Sequence, residues 1–591
     1  MRYDPEKKKK MIKVIEIENI KGIQSKRFSL NIYPNKPSLL VAPNGFGKSS
    51  FATGFNSMNS NRIILSDENY FNNNSANMPR IFIEYEKENN ITLQLEATHN
   101  SNTISNELDY FVINNLTKPK GIGSQYGRAT AVLQISDVVL IDRIPDRINF
   151  NYSFSNCKHR FGSNSKVLPN AANIFNNLLI IERISQSYIN LQRANGARIQ
   201  QQINTIVSEI NQQQGTSNIL INWINENKLN DLKQIQYLNT IGNLINGFDT
   251  GLNSEIKSYL VALQIIWLYN SNPQNFKNAC KFSNYKLDKE RITSTLLTFD
   301  NTGRSIRPTE THRKLVVKFP NANQISNGQR DILTFISMLF RAKRHLNKRA
   351  NILIIDEVFD YLDDANLTAA QYYITELIKE YKEKGIRIYP LILTHLNPNY
   401  FKNFAFSNQK VYYLYQASAQ VNTHIQNLIR NRNNILIKED VAKYLFHFHP
   451  QTINKRDEFR NLNLPELWGE NHNFRQHIFN EVDNYLNNMR YDPFAVCGAL
   501  RIKIEEIAYN KLDDINAKEE FLNVHKTRNK LDKAKDSGVI MPETHYLLGI
   551  IYNEGMHWKQ NQDNISPIVS KLDNLTIKKL IKDVFYNNTS A

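Results

Sequence analysis

The alternation of apolar and polar positions divides the chain into strand-rich and helix-rich stretches. Apolar residues alternate with polar ones over residues 15–20 and 28–32, which predicts a β-hairpin, and residues 38–42 form an apolar run typical of a buried strand. More strand-like alternation extends from about residue 80 to residue 142. We therefore expect a first folded unit over residues 11–170.

The spacing of apolar residues changes in the next part of the chain. Over residues 171–270 they recur every three or four positions, as at Ile181, Ile184 and Tyr188, which predicts a helical insertion. Residues 271–410 return to alternating helices and strands, and residues 411–591 are mostly helical. The predicted fold class is α/β, interrupted by a helical insertion and followed by a mostly helical C-terminal domain.

Composition narrows the class of protein. The chain has 591 residues, of which 41% are hydrophobic, so several folded units are expected. The longest apolar run, near residues 259–269, is shorter than the roughly 20 residues that cross a bilayer, and no signal-type segment follows the N-terminal lysines, which predicts a cytoplasmic protein without a membrane partner. The net charge of +17 favours an anionic partner, for which nucleic acid is the usual candidate.

A glycine-rich turn follows the predicted strand 38–42 and precedes a helix. Its glycines let successive backbone amides face a phosphate, a lysine there can reach the β- and γ-phosphates, and the Ser49 hydroxyl is placed to bind Mg²⁺. Ala42 stands where such loops usually begin with glycine. The predicted ATP-binding residues of this loop are Asn44, Gly45, Gly47, Lys48, Ser49 and Ser50.

Two further apolar strands end in chemically active residues. The strand at 351–355 is followed by Asp356, which can hold the Mg²⁺ shell, and Glu357, which can polarise an attacking water. The strand that begins at Tyr389 ends beside His395, which could contact the γ-phosphate. The order of these motifs predicts ATP hydrolysis with Mg²⁺, with Glu357 and His395 as catalytic residues.

The segment 325–330, Ile-Ser-Asn-Gly-Gln-Arg, lies about 30 residues before Asp356 and resembles the signature sequence of ATP-binding-cassette (ABC) ATPases, with asparagine in place of one glycine. Residues 358–363 resemble the D-loop of that family. The resemblance implies an ABC-type P-loop head and a head-to-tail homodimer in which one chain's signature contacts the ATP bound by the other. It adds Ser326, Gly328, Gln329 and Asp363 to the expected ATP-binding residues.

The family's glutamine-bearing loop is the least distinct motif. Gln134 and Gln125 are both candidates, and a surface glutamine is the ordinary alternative for each. We take Gln134 as the predicted third metal ligand beside Ser49 and Asp356.

The long separation of the P-loop from the signature resembles the SMC-like and OLD-like branches of the family rather than the transporter cassettes. The insertion has no CxxC pair, and two arms of about 50 residues each would reach only on the order of 70 Å. It resembles more closely the ATPases of anti-phage defence, such as the PrrC-like anticodon nucleases and the PtuA subunit of Septu and some retron systems. PtuA works with a separate HNH nuclease, whereas PrrC carries its ribonuclease at its own C-terminus.

The C-terminal region carries a pattern similar to the HEPN-type domain of PrrC-like nucleases. Arg501 and Glu505 lie four residues apart beside an apolar helical stripe. Asn553 and His557 lie four apart on a second predicted helix over residues 544–557. The resemblance implies a metal-independent ribonuclease with Arg501, Glu505 and His557 as catalytic residues. The ordinary alternatives are a surface salt bridge for the Arg501–Glu505 pair and a capping or packing role for His557.

These observations lead to three hypotheses. The first is an ATP-gated toxin or effector of anti-phage defence, whose ATP-bound dimer controls a nuclease activity on RNA such as tRNA, or on DNA. The second is a PtuA-like ATPase scaffold that has no nuclease of its own and holds an HNH subunit. The third is an SMC-like DNA-repair ATPase, which the short insertion and missing hook disfavour.

Overall fold

The computed structural model divides the chain into two compact units, one formed by Met1–Asn115 with Ala342–Ala591 and the other by Leu116–Arg341. Within the described ranges, no helix combines the length and the apolar character that a membrane span requires. The structure describes residues 11–42, 45–87, 91–114, 117–122, 130–299, 306–319, 327–396, 398–401, 410–414, 419–420, 422–553 and 565–586.

Fourteen strands are present among these residues, and most lie in the first unit. The strands are β1 (Met11–Ile20), β2 (Ile23–Ile32), β3 (Ser38–Val41), β4 (Arg80–Glu86), β5 (Thr92–Thr98), β6 (Asp109–Ile113), β7 (Thr117–Ile122), β8 (Thr130–Ile135), β9 (Val138–Ile141), β10 (Pro308–Thr311), β11 (Lys314–Val317), β12 (Ala350–Asp356), β13 (Arg387–Thr394) and β14 (Lys410–Tyr413).

The head of the first unit is built from two sheets. One is antiparallel in the order β2-β1-β4-β5, and the β1–β2 pair is the hairpin that the alternation predicts. The other is parallel in the order β14-β3-β13-β12-β6. Strands β12 and β13 are buried along almost their whole length, because a parallel sheet is covered on both faces. The predicted α/β class is confirmed.

Helix α1 (Lys48–Asn56) follows β3 and packs against strands of both sheets. Phe51 and Phe55 anchor it, since both rings are almost fully buried and stack on each other with their centroids 5.3 Å apart. Phe28 of β2 meets Phe51 edge to face at 5.2 Å. Burying such aromatic pairs fixes α1 against the sheets.

The insertion is a compact set of helices with its own apolar core. Helix α11 (Glu255–Ser271) is apolar on nearly every side, with 12 of its 17 residues buried, so it forms the centre around which the others pack. The helical region is longer at both ends than the predicted 171–270. Its helices are α3 (Phe154–Phe161), α4 (Ala172–Asn176), α5 (Leu178–Ser185), α6 (Tyr188–Ala194), α7 (Ala197–Asn211), α8 (Ser217–Asn227), α9 (Leu229–Gln234), α10 (Gln236–Asn246), α11 (Glu255–Ser271) and α12 (Pro273–Leu297).

The remaining helices are α2, α13, α14 and those of the C-terminal region. Helix α2 (Ile104–Glu107) precedes β6, and α13 (Asn327–His345) and α14 (Asp364–Glu383) flank β12 in the sequence. The C-terminal helices are α15 (Thr423–Asn431), α16 (Lys438–Asp440), α17 (Arg456–Asn461), α18 (Asn471–Leu486), α19 (Pro493–Asn510), α20 (Ile515–Asn523), α21 (Thr527–Asp536), α22 (Glu543–Leu547), α23 (Gly549–Tyr552), α24 (Ser566–Leu572) and α25 (Leu575–Tyr586).

Two details differ from the expectations. Strand β14 pairs with β3, so the head continues to Tyr413, a few residues past the predicted boundary. In the described part of the single helix predicted over residues 544–557, the chain forms two short helices, α22 and α23, which meet at Leu548. The apolar spacing alone could not reveal this break, because Leu548 is itself a buried core residue at the junction.

The buried His545 of helix α22 should make the stability of the fold sensitive to acid. His545 is 2% exposed, and burial lowers its pKa to about 4, with Lys511 acting in the same direction. Because an unfolded histidine titrates near 6.5, the unfolded chain takes up this proton first, and the stability contributed by neutral His545 is lost as the pH falls from about 6.5 towards 4. We expect the free energy of unfolding to be about 2 kcal/mol smaller at pH 5 than at pH 7.5 because of His545.

The measurement is amide hydrogen exchange of α19 and α22 in the full chain at both pH values, corrected for intrinsic exchange rates. A His545→Gln variant should lose less protection on acidification than the wild type. The exposed His525 provides the control, since His525→Gln should keep the wild-type pH response. Equal acid sensitivity in His545→Gln and the wild type would contradict the assignment.

Candidate nucleotide site

The described residues just before α1 include two glycines in a conformation that suits a phosphate-binding turn. Gly45 and Gly47 have φ angles of 89° and 93°, in the left-handed region that favours glycine. A Cβ at Gly47 would also lie 2.9 Å from the Ile23 side chain. Gly47 caps the N-terminus of α1, where backbone amides and the helix dipole favour an anion. Asn44 lies outside the described residues.

Lys48, the first residue of α1, has a side chain that is 2% exposed. Its Nζ donates to the Ala42 carbonyl oxygen at 2.5 Å and lies 3.5 Å from Oε1 of Glu357. The Lys48 ammonium therefore lies against Ala42, which comes just before its own helix, and a carboxylate is its anionic neighbour. A phosphate bound in the loop would take the place of that carboxylate at Lys48.

The two serines after Lys48 face different surroundings. Ser49 is exposed, so its hydroxyl is open to a metal ion. Ser50 is buried, and its Oγ accepts a hydrogen bond from the Gly22 amide at 3.2 Å. The Ser50 side chain thus ties α1 to the β1–β2 turn, and only its backbone amide remains for the predicted contact with ATP.

Asp356 ends β12 with a carboxylate that suits a divalent cation. Its Oδ1 is buried and has no hydrogen-bond partner among the described residues. Burial and the adjacent Glu357 raise the pKa of Asp356 to about 6, while Lys48 acts in the opposite direction. A hard cation such as Mg²⁺ would satisfy this oxygen, and oxygen ligands are the ones it prefers. Asp356 and Ser49 therefore fit the predicted metal site.

Glu357 is held in an unusual backbone conformation. Its φ angle is 54°, which for a residue with a side chain costs on the order of 1–3 kcal/mol. Its amide donates to the Leu393 carbonyl oxygen on β13 at 3.0 Å, which fixes the turn after β12. The carboxylate is 28% exposed and points to Lys48, the position from which a base can reach the phosphate-binding loop.

His395 follows β13 and is oriented by a carboxylate that the sequence did not single out. The Asp360 side chain is 0% exposed. It accepts hydrogen bonds from the Thr394 hydroxyl and, at 3.3 Å, from the His395 amide, and His395 Nδ1 lies 2.9 Å from its Oδ2. The ring is 45% exposed, and Nε2 is the nitrogen left to face a ligand. Asp360 thus orients the histidine as a positioning residue.

Burial raises the pKa of Asp360, and the Thr394 hydrogen bond together with His395 opposes that shift. The reason these groups meet is topological. Because β12 and β13 are parallel neighbours with Asp356 opposite Leu393, the turns that follow them leave the same edge of the sheet. The pairing of strands, which the motif spacing does not specify, brings Asp360 to His395.

The signature begins a helix as its resemblance implies, because α13 starts at Asn327. Ser326 lies outside the described residues. Gly328 is half-buried, and Gln329 is buried and donates from Nε2 to the Phe299 carbonyl oxygen at 3.1 Å. The Gln329 side chain thus contributes to the packing of its own unit, and its contact with ATP stays a prediction.

Asp363 and Gln134 are two further predicted site residues. Asp363 caps the N-terminus of α14, accepting hydrogen bonds from the Asn366 amide and side chain, both at 2.8 Å. Gln134 lies on β8, opposite Lys118, but its side chain is outside the described part of the structure, as is all of Gln125. The roles of Asp363 and Gln134 stay predictions.

Of the three C-terminal residues predicted to be catalytic, the structure describes Arg501 and Glu505, and both are buried. Arg501 is 8% exposed and donates from Nη2 to the Tyr552 carbonyl oxygen at 2.7 Å. Glu505 is 0% exposed. A carboxylate without surface cannot touch a substrate, so we correct its assignment from a catalytic to a structural or positioning role. His557 lies outside the described residues, and its assignment stays a prediction.

Together, the antiparallel sheet and the parallel sheet form an α/β head, and one edge of the parallel sheet gathers Lys48, Asp356, Glu357 and His395. No protein-family model and no curated protein matches the sequence.

Two solved structures show what the chain is similar to. One is the Smc head domain with an extended coiled coil bound to the C-terminal domain of ScpA, from Pyrococcus furiosus. It is 12% identical, the match covers 67% of this chain and 92% of that chain, and the TM-score is 0.26. The other is the recombination mediator protein RecF with ATP, from the RecFOR pathway. It is 11% identical over 67% of this chain and 95% of that chain, with a TM-score of 0.24.

Proposed function

We propose that this chain is an ATPase whose two copies close head to tail over two ATP molecules, and that the ATP-bound dimer controls a nuclease activity in anti-phage defence. The observation that carries the ATPase part is the convergence at one sheet edge of a buried lysine, two carboxylates and an oriented histidine. These are the groups that phosphoryl transfer to water requires.

Each group has a distinct task. Lys48 and the amides at the start of α1 bind the β- and γ-phosphates of ATP. Ser49 and Asp356 would hold Mg²⁺, which supplies charge neutralisation between those phosphates. Glu357 leaves Lys48 when phosphate binds there, and its carboxylate polarises the water that attacks the γ-phosphorus as the bond to ADP breaks. Asp360 turns His395 so that Nε2 faces the γ-phosphate.

The defence role is supported by the resemblance of the motif order and the compact insertion to PrrC-like nucleases and PtuA. The alternative, a PtuA-like scaffold that binds a separate HNH nuclease, differs in one measurable respect. The purified chain would hydrolyse ATP but would cleave no RNA by itself. The third candidate, a DNA-repair ATPase, is favoured by no specific feature of the described residues.

The head-to-tail arrangement predicts complementation between two inactive chains. Lys48→Ala removes the phosphate-binding cation, and Ser326→Arg blocks the signature that the resemblance assigns to the partner's ATP. In a mixed dimer, one composite site carries both changes and the other carries neither. We therefore expect mixtures of the two variants to recover part of the wild-type ATPase rate.

The measurement is phosphate release by each variant alone and by equimolar mixtures after exchange of subunits. A mixture of Lys48→Ala with an unmutated but differently tagged Lys48→Ala chain is the control and should stay inactive. If heterodimers form, as shown by the two tags, yet no activity returns, each site would have to be confined to one chain.

A further inference from the structure

A cavity of about 250 Å³ lies at the start of α18 in the C-terminal region. The first turns of that helix form one wall, and residues 449–452 contribute to another. No side chain caps the N-terminus of α18. Because the dipole of a helix is positive at this end, the cavity lies where an anion is favoured. A helix end alone does not make a binding site, so the side chains around the cavity decide what it can hold.

Asn471, the first residue of α18, joins the two walls. It is 4% exposed, and both of its polar atoms are engaged with the opposite segment. Its Oδ1 accepts from the Ile453 amide at 3.2 Å, and its Nδ2 donates to the Gln451 carbonyl oxygen at 2.8 Å. The walls are therefore held in place before any ligand arrives, which reduces the cost of binding one.

His449 lines the cavity and has one ring nitrogen without a partner. The residue is 8% exposed, and its Nδ1 accepts from the Gln451 amide at 3.2 Å. Because Nδ1 is an acceptor, the proton of the neutral ring lies on Nε2. Nε2 has no hydrogen-bond partner among the described residues. Burial, assisted by Lys443 and Lys530, lowers the pKa of His449 to about 4, so near pH 7 the ring is neutral and offers one N–H donor.

Arg475 adds a positive charge to the cavity. Burial lowers its pKa, and Glu506 acts in the opposite direction. The guanidinium lies over the Phe448 ring, 5.1 Å from its centroid, and donates to the His449 carbonyl oxygen at 3.3 Å. In the described part of the chain, no carboxylate lies within ion-pair distance of it. A partly desolvated guanidinium with N–H groups to spare is stabilised by an oxyanion, which it can bind through two parallel hydrogen bonds.

One carboxylate lies beside the cavity, and its charge is offset by a neighbour. Glu470 Oε2 is 3.7 Å from Nε2 of the cavity residue His472. Glu470 forms an ion pair with Arg456 at 2.9 Å and also accepts from Asn473 Nδ2 at 2.7 Å. The charge of Arg475 is therefore the one that the cavity presents to a ligand.

We propose that this cavity binds phosphate, either as the free ion or as the phosphomonoester group of a small molecule, between Arg475, His449 Nε2 and the first turn of α18. Phosphate is favoured over a carboxylate because its second negative charge also gains from the positive end of the helix. Phe479 and Pro450 supply an apolar part of the wall, against which the organic part of a phosphomonoester would lie. This site shares no residue with the nucleotide site and does not rest on the proposed function.

The test uses the full chain carrying Lys48→Ala, because the loop of the nucleotide site would otherwise also take up phosphate. Isothermal titration calorimetry measures the binding of inorganic phosphate, ribose 5-phosphate and ribose. We expect both phosphates to bind and ribose not to bind. Tighter binding of ribose 5-phosphate would assign the site to a phosphomonoester, and tighter binding of inorganic phosphate would assign it to the free ion.

Arg475→Gln should weaken phosphate binding about 10–100-fold, the range expected when hydrogen bonds from a charged group are lost. Arg490→Gln, a change at an exposed arginine after α18, is the matched control and should bind phosphate as the parent chain does. Phosphate should also slow amide hydrogen exchange in the first turn of α18, in the parent chain and in the chain with Lys48 intact.

A second substitution avoids the half-buried arginine. Gln476→Glu changes an exposed side chain at the cavity, so it adds a negative charge there without disturbing the core and should abolish phosphate binding. Asn487→Asp adds the same charge at the other end of α18 and should have no effect. The proposal is wrong if the parent chain takes up no phosphate at millimolar concentration, or if Arg475→Gln and Gln476→Glu both bind it as tightly as the parent. Acetate bound as tightly as phosphate would contradict the preference for phosphate.

Discussion

Glu357→Gln is expected to reduce ATP hydrolysis by about 10²–10³-fold while ATP binding is kept. The amide retains the shape of the carboxylate but cannot polarise the attacking water. The structure adds a second consequence, because Glu357 is the anionic neighbour of Lys48 at 3.5 Å. An uncharged side chain there competes less with phosphate for the lysine, so ATP affinity should be equal to or higher than that of the wild type.

With hydrolysis blocked, the ATP-bound dimer should persist. Light scattering with and without ATP measures the dimer, and phosphate release measures turnover in the same samples. Glu383→Gln, a change at an exposed carboxylate of α14, is the matched control and should behave as the wild type does. A Glu357→Gln chain that hydrolyses ATP at the wild-type rate would remove Glu357 from the catalytic role. A loss of ATP binding would show that its charge supports the loop instead.

The parts of the fold that the sequence predicts are those whose signal is local. The β1–β2 hairpin follows from strict alternation, and the parallel strands β12 and β13 follow from continuous apolar runs. The phosphate-binding turn is equally local, since Gly45 and Gly47 are needed there for their positive φ angles. In each case a few consecutive residues contain the whole physical requirement.

The features of the fold and of the site that the sequence does not predict depend on which distant segments contact each other. Asp360 orients His395 because β12 and β13 are neighbours, and His447 meets Glu505 although they are 58 residues apart. The four-residue spacing of Arg501 and Glu505 places them on one side of a helix, but helical spacing does not report that both side chains are buried. The break at Leu548 is likewise set by packing, since apolar residues continue through it. Such features require the tertiary structure.

Asp360→Asn is expected to reduce ATP hydrolysis on the order of 10²-fold with little change in ATP affinity. The carboxylate accepts from the Thr394 hydroxyl and from both His395 donors. The side-chain amide of an asparagine would turn an N–H group towards some of these donors and could not accept from them. The His395 imidazole would then lose its fixed tautomer and orientation. Because Asp360 is fully buried, it cannot act on ATP directly, and its effect must pass through His395.

A double-mutant cycle separates this positioning role from a general loss of stability. His395→Ala alone should slow hydrolysis, and adding Asp360→Asn to it should have almost no further effect on the rate, because the oriented group is already gone. Asp364→Asn, an exposed change at the start of α14, serves as the control and should leave the rate unaltered. If the two substitutions multiply in their effects on phosphate release, then Asp360 supports hydrolysis by some route other than the histidine, and the contact at 2.9 Å between His395 Nδ1 and Asp360 Oδ2 is only structural.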